Sequence, residues 1–210
     1  MAEFQVLDVA ALRNAAVARE PYSYLLGDGV LRENALGDLR RDFPGIKKAG
    51  YLTLDEVQLN GAFRTLVEEL ESDEVAQVVG GMLGLDLTPY PRLLTVMGHS
   101  KKRHGRPHTD GKSKLATMLV YMNDDWNDEG PGRLRVLYNE KGFEPYAAEV
   151  PPTMGSVFAF LRCDDSWHGH EPFVGERRVV QMAWVASENE LNRKKKRNKL
   201  AQFWKGIAGR

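Results

Sequence analysis

The chain has 210 residues, 42% hydrophobic and 28% charged, which is typical of one globular domain with a sizeable apolar core. Its net charge is zero, but residues 191–210 hold eight Lys and Arg and no acid, so the other 190 residues carry 21 basic and 29 acidic side chains. This acidic body argues against a generic nucleic-acid surface, and the single cysteine, Cys163, excludes an internal disulfide. With no signal-peptide pattern and no membrane-spanning run, the sequence predicts a cytoplasmic protein.

The first ninety residues show mainly helical patterns. Their periodicity predicts four helices, over residues 8–20, 32–43, 59–72 and 73–84. Asp8 is a typical N-cap residue for the first helix, Pro44 ends the second, and the paired glycines Gly80 and Gly81 end the fourth. The segment PYSYLLGDGVL, between the first two helices, predicts a short strand and a turn.

From Pro91 to Ser187, short apolar segments alternate with Gly, Pro, Asn and Asp. The strand-like segments are PRLLTVMG, LATMLVYM, GRLRVLY, YAAEV, GSVFAFL and RRVVQMAWV. Strands at this spacing favour a β sandwich or barrel. We therefore predict an α+β fold with a double-stranded β-helix (jelly-roll) core. One domain is expected, with residues 1–90 as mainly helical support, 91–187 as the jelly-roll core and 188–210 as a basic C-terminal helix packed on it.

A histidine and an aspartate stand two residues apart in RPHTDGKSKLATMLVYM. On a strand this spacing places His108 and Asp110 on the same face. Ferrous oxygenases bind iron through two imidazoles and one carboxylate and leave open positions for oxygen and a co-substrate. His168, after the strand-like GSVFAFLR, offers the second imidazole. The alternative is a histidine hydrogen-bonded to a nearby aspartate in a turn.

Two further side chains indicate an anion-binding site. Arg178 lies ten residues after His168 and begins the apolar strand RVVQMAWV. A guanidinium that points into a barrel requires an anionic partner, and its planar fork suits a carboxylate. Tyr121, eleven residues after Asp110, offers a hydroxyl to the same anion.

The neighbouring Arg177 is the alternative to Arg178, because strand alternation sends the two side chains to opposite faces. Arg178 is preferred because it shares its face with three residues predicted to line the pocket, namely Val180, Met182 and Trp184. If the register shifts by one residue, Arg177 takes the role.

The motifs HTD, LVYMNDDW, GRLRVL, GSVFAF and WHGHEPFVGERRVVQMAW, spread in this order between Pro91 and Val185, resemble the iron(II)/2-oxoglutarate-dependent dioxygenases. The resemblance is greatest to the branch of prolyl 4-hydroxylases and HIF prolyl hydroxylases, which often has an aromatic residue where Trp184 stands. It implies one 2-oxoglutarate/iron(II) dioxygenase domain. The implied iron ligands and catalytic residues are His108, Asp110 and His168. The implied ligands of the distal 2-oxoglutarate carboxylate are Arg178 and Tyr121.

The resemblance also implies the reaction. An unactivated C–H bond of a small-molecule or protein substrate would be hydroxylated, with O2 consumed and succinate and CO2 released. Fe(2+) and 2-oxoglutarate are the implied cofactor and co-substrate, and ascorbate is a candidate reductant. Asp110 favours hydroxylation, because related halogenases carry a small residue there. The strand before the motif lacks a tyrosine that some relatives have, so the contact to the proximal end of 2-oxoglutarate is left unassigned.

Other polar residues have simpler interpretations. His170 is expected beside the metal or at the surface, and Cys163 is expected to be inert. His99 and His104 lie in a basic loop with Lys101, Lys102, Arg103 and Arg106. A solvated loop is the favoured interpretation, and a lid that attracts an anionic substrate is the alternative. The basic tail is interpreted as structural, with Leu200, Phe203, Trp204 and Ile207 packing inward.

Two other functions compete with the dioxygenase. A non-enzymatic jelly-roll protein would bind a ligand or partner without turnover. A nucleic-acid demethylase is indicated only by the basic tail and is disfavoured by the acidic body. A small-molecule or peptide substrate is the expected partner, and no membrane partner is expected. The oligomeric state is left open.

Overall fold

The computed structural model describes residues 4–126, 130–194 and 196. The helices are α1 (Val9–Arg13), α2 (Leu36–Asp42), α3 (Gly61–Leu70) and α4 (Asp73–Leu83), with short 3-10 turns at Glu33–Ala35 and Leu54–Glu56. The strands are β1 (Ala16–Ala18), β2 (Tyr24–Gly27), β3 (Leu52–Thr53), β4 (Arg92–Ser100), β5 (Lys114–Tyr121), β6 (Leu134–Leu137), β7 (Tyr146–Val150), β8 (Val157–Leu161), β9 (His168–His170) and β10 (Gly175–Val185). The prediction of a mixed fold with helices and antiparallel strands is confirmed.

The strands form two antiparallel sheets. The large sheet has seven strands in the order β1-β2-β8-β5-β10-β4-β3, and the small sheet has the order β7-β6-β9. Strands from the N-terminal third therefore occupy both ends of the large sheet. The long pairings of β10 with β4 and with β5 form its centre.

The two faces of the large sheet pack against different partners. Alternation along β5 sends Met118 and Val120 into the core shared with α3 and α4. The intervening Leu119 and Tyr121 enter a second core, which includes Leu134 from the small sheet. The helices thus cover one face of the large sheet, and the small sheet covers the other. The site described below lies in the layer between the two sheets.

Local packing explains where the helices differ from the predicted boundaries. Asp8 caps α1 as expected, since its carboxylate accepts a hydrogen bond from the Ala11 backbone N–H at 3.0 Å, but α1 ends at Arg13. The residues that follow enter β1, which pairs with β2. The fourth helix passes through its paired glycines and ends only before Gly84, which has φ 90°. A Cβ on Gly80 would lie 2.4 Å from the Leu85 carbonyl oxygen, so this glycine permits close backbone packing.

At its C-terminal end the described chain is helical over residues 188–194. Leu191 there packs with Leu93 and Val185. The tail residues predicted to pack inward, Leu200, Phe203, Trp204 and Ile207, lie outside the described residues, and the prediction stands untested. Among the described residues, no helix combines the length and the apolar character needed to cross a membrane.

Candidate functional site

A cavity of about 330 Å³ lies between the two sheets. Met97, Leu119 and Leu134 form its apolar wall and come from β4, β5 and β6. Its polar lining includes four of the five histidines of the chain together with Arg177, Gln181 and Tyr51. One cavity thus combines imidazoles, a guanidinium and an apolar wall.

The structure brings His108, Asp110 and His168 together. One ligand atom from each lies within 4.8 Å of the other two, and no other such group occurs among the residues that the structure describes. The spacing predicted that His108 and Asp110 lie on a strand. They lie instead in the loop that precedes β5. His108 reaches the site through a single bridge to His168, in which each backbone N–H donates to the other carbonyl at 3.0 Å.

Both histidines are oriented by their own backbone. The Nδ1–H of His108 donates to the Arg106 carbonyl at 2.8 Å, and that of His168 donates to the Ser166 carbonyl at 2.9 Å. Because Nδ1 carries the proton in each ring, each Nε2 keeps a lone pair for a metal ion. Burial lowers the pKa of His168 to about 4, so its ring is neutral at neutral pH.

Asp110 is held by two donors. Lys114 Nζ donates to one carboxylate oxygen at 2.8 Å, and Thr117 Oγ1 donates to the other at 2.5 Å. Burial alone would raise the pKa of Asp110, but the charge of Lys114, the protonated His168 ring at low pH and the two hydrogen bonds outweigh it and lower the pKa. The carboxylate is therefore ionised, and each oxygen keeps a further lone pair. Two imidazoles and one carboxylate suit ferrous iron.

Arg177, and not Arg178, points into the cavity. Arg177 is 2% exposed and lines the cavity wall. Its Nε donates to the Gly132 carbonyl at 3.2 Å and its Nη2 to the Tyr121 hydroxyl at 3.3 Å. No carboxylate among the described residues forms an ion pair with it. A buried guanidinium without an acidic partner is costly and indicates a site for an anion.

The preference for Arg178 is corrected by this geometry. The Arg178 side chain is 28% exposed, pairs with Glu176 outside the cavity and lies over the Phe43 ring at 5.3 Å. The apolar residues that alternate with Arg178 along the strand had favoured its face as the cavity wall. Those apolar residues, Val180, Met182 and Trp184, instead belong to the core shared with the helices. The cavity is lined from the other face, by Arg177 and Gln181.

Tyr121 lies where the sequence placed it, and a second tyrosine joins it. Tyr121 is fully buried, and the Arg177 guanidinium carbon lies 5.1 Å from the centre of its ring. Tyr51, from the segment before β3, lines the cavity and hydrogen-bonds Arg177, and burial raises its pKa above the usual range. Sequence reasoning missed Tyr51, because no motif marks it and its distance along the chain from Arg177 hides the contact.

The remaining predicted residues divide between cavity and surface. His104 and His170 line the cavity, whereas His99 donates from Nδ1 to the Ile46 carbonyl at 2.8 Å. Burial lowers the pKa of His170 to about 3. Cys163 is exposed and has no disulfide partner. Tyr22, which the sequence did not single out, donates its hydroxyl to the Trp167 carbonyl at 3.0 Å and thereby supports the start of β9.

Solved structures share this fold at low sequence identity. A Pseudomonas putida prolyl-4-hydroxylase superposes with a TM-score of 0.55 at 14% identity, covering 78% of this chain and 92% of that one. The viral collagen prolyl hydroxylase vCPH from Paramecium Bursaria Chlorella virus-1, in a 2OG complex, gives 0.51 at 14% identity and covers 79% and 96%. A prolyl 4-hydroxylase from Phytophthora capsici gives 0.51 at 19% identity, with 79% of this chain covered, and the chain spans only 60% of its length.

Sequence comparison finds a match to a family model over part of the chain. No curated protein sequence matches this chain. A sequence model of the 2OG-Fe(II) oxygenase superfamily matches residues 94–186, the segment that holds the His108, Asp110 and His168 cluster and Arg177. Residues 94–186 are therefore similar to the 2OG-Fe(II) oxygenase superfamily, and the chain has the fold of prolyl 4-hydroxylases.

Proposed function

We propose that this protein is an iron(II)- and 2-oxoglutarate-dependent hydroxylase with a single catalytic domain built around a jelly-roll core. The main supporting observation is one cavity lined by His108 and His168, which cluster with Asp110, and by a buried arginine that has no acidic partner among the described residues. Neither the metal-ligand cluster nor the buried arginine alone would indicate a 2-oxoglutarate-dependent hydroxylase. Together they match a metal bound at one end of a dicarboxylate and a cation at the other.

In this proposal His108, Asp110 and His168 hold the ferrous ion. The hydrogen bonds from the two Nδ1–H groups fix the rings, so that each Nε2 faces the metal position. Lys114 and Thr117 hold Asp110 in its ionised form and limit its rotation. Bound iron would supply the activation of O2, coupled to oxidative decarboxylation of 2-oxoglutarate.

Arg177 takes the role of binding the distal carboxylate of 2-oxoglutarate. Its guanidinium suits a carboxylate in two-point contact, and Tyr121 adds a hydroxyl next to it. Tyr51 and Gln181 line the same cavity and can donate to other oxygens of the co-substrate. Met97, Leu119 and Leu134 exclude water from the space where a C–H bond must approach the metal position.

Calorimetry with ferrous iron and 2-oxoglutarate under nitrogen tests the proposal. We expect one ferrous ion per chain, 2-oxoglutarate binding that requires the metal, and succinate release when air is admitted. Asp110→Ala is the matched control, because it removes one iron ligand while leaving Arg177 in place. If the chain binds no ferrous ion, or binds 2-oxoglutarate equally well without metal, it is a ligand-binding protein of this fold and not a hydroxylase.

A further inference from the structure

Six exposed basic side chains lie on two neighbouring segments, and residues of both segments, Gly50 and His104, line the cavity. This basic rim consists of Lys47, Lys48, Lys101, Lys102, Arg103 and Arg106. Over residues 99–114 the chain has six Lys and Arg and three His, but only one acid, the proposed iron ligand Asp110. The rim therefore lies on an otherwise acidic body and carries the opposite charge.

The two segments that carry the rim lie against each other. The Gly50 backbone N–H donates to the His99 carbonyl at 3.0 Å, and His99 Nδ1 donates to the Ile46 carbonyl at 2.8 Å. Gly50 and His104 both line the cavity. His108 is exposed, whereas Asp110 and His168 are buried, so the cavity opens on the side of these segments.

The loop that carries four of the six cations is fixed in place. The His104 N–H donates to the Lys101 carbonyl at 2.8 Å, and the His170 N–H donates to the Gly105 carbonyl at 2.7 Å. Gly105 has φ 76°, and a Cβ there would lie 2.2 Å from His170 Nε2, so only glycine permits this approach. The charges are thus held near the entrance before any ligand arrives, which lowers the entropic cost of binding.

No rim side chain forms an ion pair with a carboxylate of the described residues. Nearby arginines outside the rim do form such pairs, since Arg135 contacts Glu149 at 2.7 Å and Glu171 at 3.2 Å, and Arg162 contacts Asp164 at 2.6 Å. Clustered like charges repel one another and raise the local potential. Because the basic rim has no acidic partner among the described residues, it favours the binding of an anionic ligand.

We propose that the basic rim binds an acidic polypeptide segment whose reacting residue enters the cavity; this inference rests on the proposed hydroxylase function. Arg177 is the only Lys or Arg among the described residues that line the cavity, so the cations available to a substrate lie outside it. Anionic groups that flank the reacting residue fit this layout, whereas a small anion would be bound from inside. Residues 47–50 and 99–106, which carry the rim, contain no Phe, Tyr or Trp, the side chains on which single-stranded nucleic acid stacks.

Fluorescence anisotropy on the iron- and 2-oxoglutarate-loaded protein under nitrogen tests the inference. The probe is a short labelled peptide rich in Asp and Glu, and its counterpart carries Asn and Gln at the same positions. At low ionic strength we expect the acidic peptide to bind at least about tenfold tighter, and the double variant Lys101→Gln/Lys102→Gln to lose about tenfold of that affinity. The control Arg32→Gln/Lys141→Gln removes two exposed cations away from the rim and should change the affinity less than about twofold.

The outcomes separate the two proposals. Metal-dependent 2-oxoglutarate binding is measured on each variant, and we expect it to be unchanged. If it is absent from the wild type, the hydroxylase function fails and the substrate role of the rim fails with it. If it is present but the two peptides bind alike, or both double variants lose equal affinity, the inference alone fails. Tighter binding of a labelled single-stranded oligonucleotide than of the acidic peptide would also overturn it.

Discussion

Replacing Arg177 with methionine should separate stability from co-substrate binding. The guanidinium is buried and has no acidic partner among the described residues, so it destabilises the protein until an anion arrives. Exchange of a buried charge for a similar apolar volume is often neutral or stabilising. Lost hydrogen bonds to the Gly132 carbonyl and the Tyr121 hydroxyl act in the other direction. We expect the metal-loaded Arg177→Met protein without 2-oxoglutarate to unfold within ~2 kcal/mol of the wild type.

The effect on 2-oxoglutarate should be far larger. Loss of one partner of a buried charge pair costs ~2–5 kcal/mol, which weakens binding roughly 30-fold or more. At ~100 times its Kd, 2-oxoglutarate stabilises the wild type by ~2.7 kcal/mol. For a chain of this size that raises Tm by roughly 5–11 °C. The same concentration should stabilise the variant by less than ~1 kcal/mol, and its Tm shift should fall below ~4 °C.

Thermal unfolding with and without 2-oxoglutarate, in the presence of metal, measures both quantities. Arg178→Met is the matched control, because Arg178 is the adjacent arginine but pairs with Glu176 outside the cavity. The control should keep the full Tm shift. The reasoning is refuted if Arg177→Met keeps the shift, or if Arg178→Met abolishes it.

The other predictions concern the metal ligands and their supports. His108→Ala, Asp110→Ala and His168→Ala should each abolish stoichiometric ferrous binding, measured as metal content after gel filtration; full metal content in all three would contradict the ligand set. Lys114→Met should leave the buried Asp110 carboxylate without its cation and destabilise the metal-free protein by ~3–5 kcal/mol, measured by urea unfolding. The control Lys112→Met changes an exposed lysine and should leave the urea midpoint nearly unchanged. Since burial lowers the pKa of His168 to about 4, unfolded chains bind its proton near pH 6.5 while folded chains do not, so metal-free stability should fall as pH drops from ~6.5 to ~4. His168→Gln should reduce that slope but not abolish it, because burial lowers the pKa of His170 to about 3 and His170 contributes in the same range; an unchanged slope would show that His168 does not contribute.

Much of the fold was predictable because local sequence patterns indicate most of its helices and strands. Period-two alternation and turn residues located the six longer strands between β4 and β10, and helical spacing located α2, α3 and α4. The three-residue β9 escaped prediction, since its formation depends on pairing with β6 and not on its own residues. The first helix was predicted too long, because nothing in its sequence announces that Ala16–Ala18 pairs with β2.

The site residues were likewise predictable where the local sequence indicates them and not where the choice depends on tertiary packing. Residue type and order indicated His108, Asp110 and His168, and the structure brings these three together. The choice between Arg177 and Arg178 failed because a strand buried on both faces gives no sequence signal for which face borders a cavity.

The order of strands in the large sheet has a consequence for how this chain can be divided. The segment that carries the family signature, residues 94–186, has its outer strands β8 and β4 covered by β2 and β3, which lie earlier in the chain. A protein cut to that segment would present two raw edges, with unpaired backbone N–H and C=O groups ready to join other molecules. It would also lose α3 and α4 and expose the apolar surface beneath them. Residues 94–186 are therefore shorter than the smallest fragment that should remain monomeric. A chimera that exchanges this segment between relatives must also include the N-terminal residues that form β2, β3, α3 and α4.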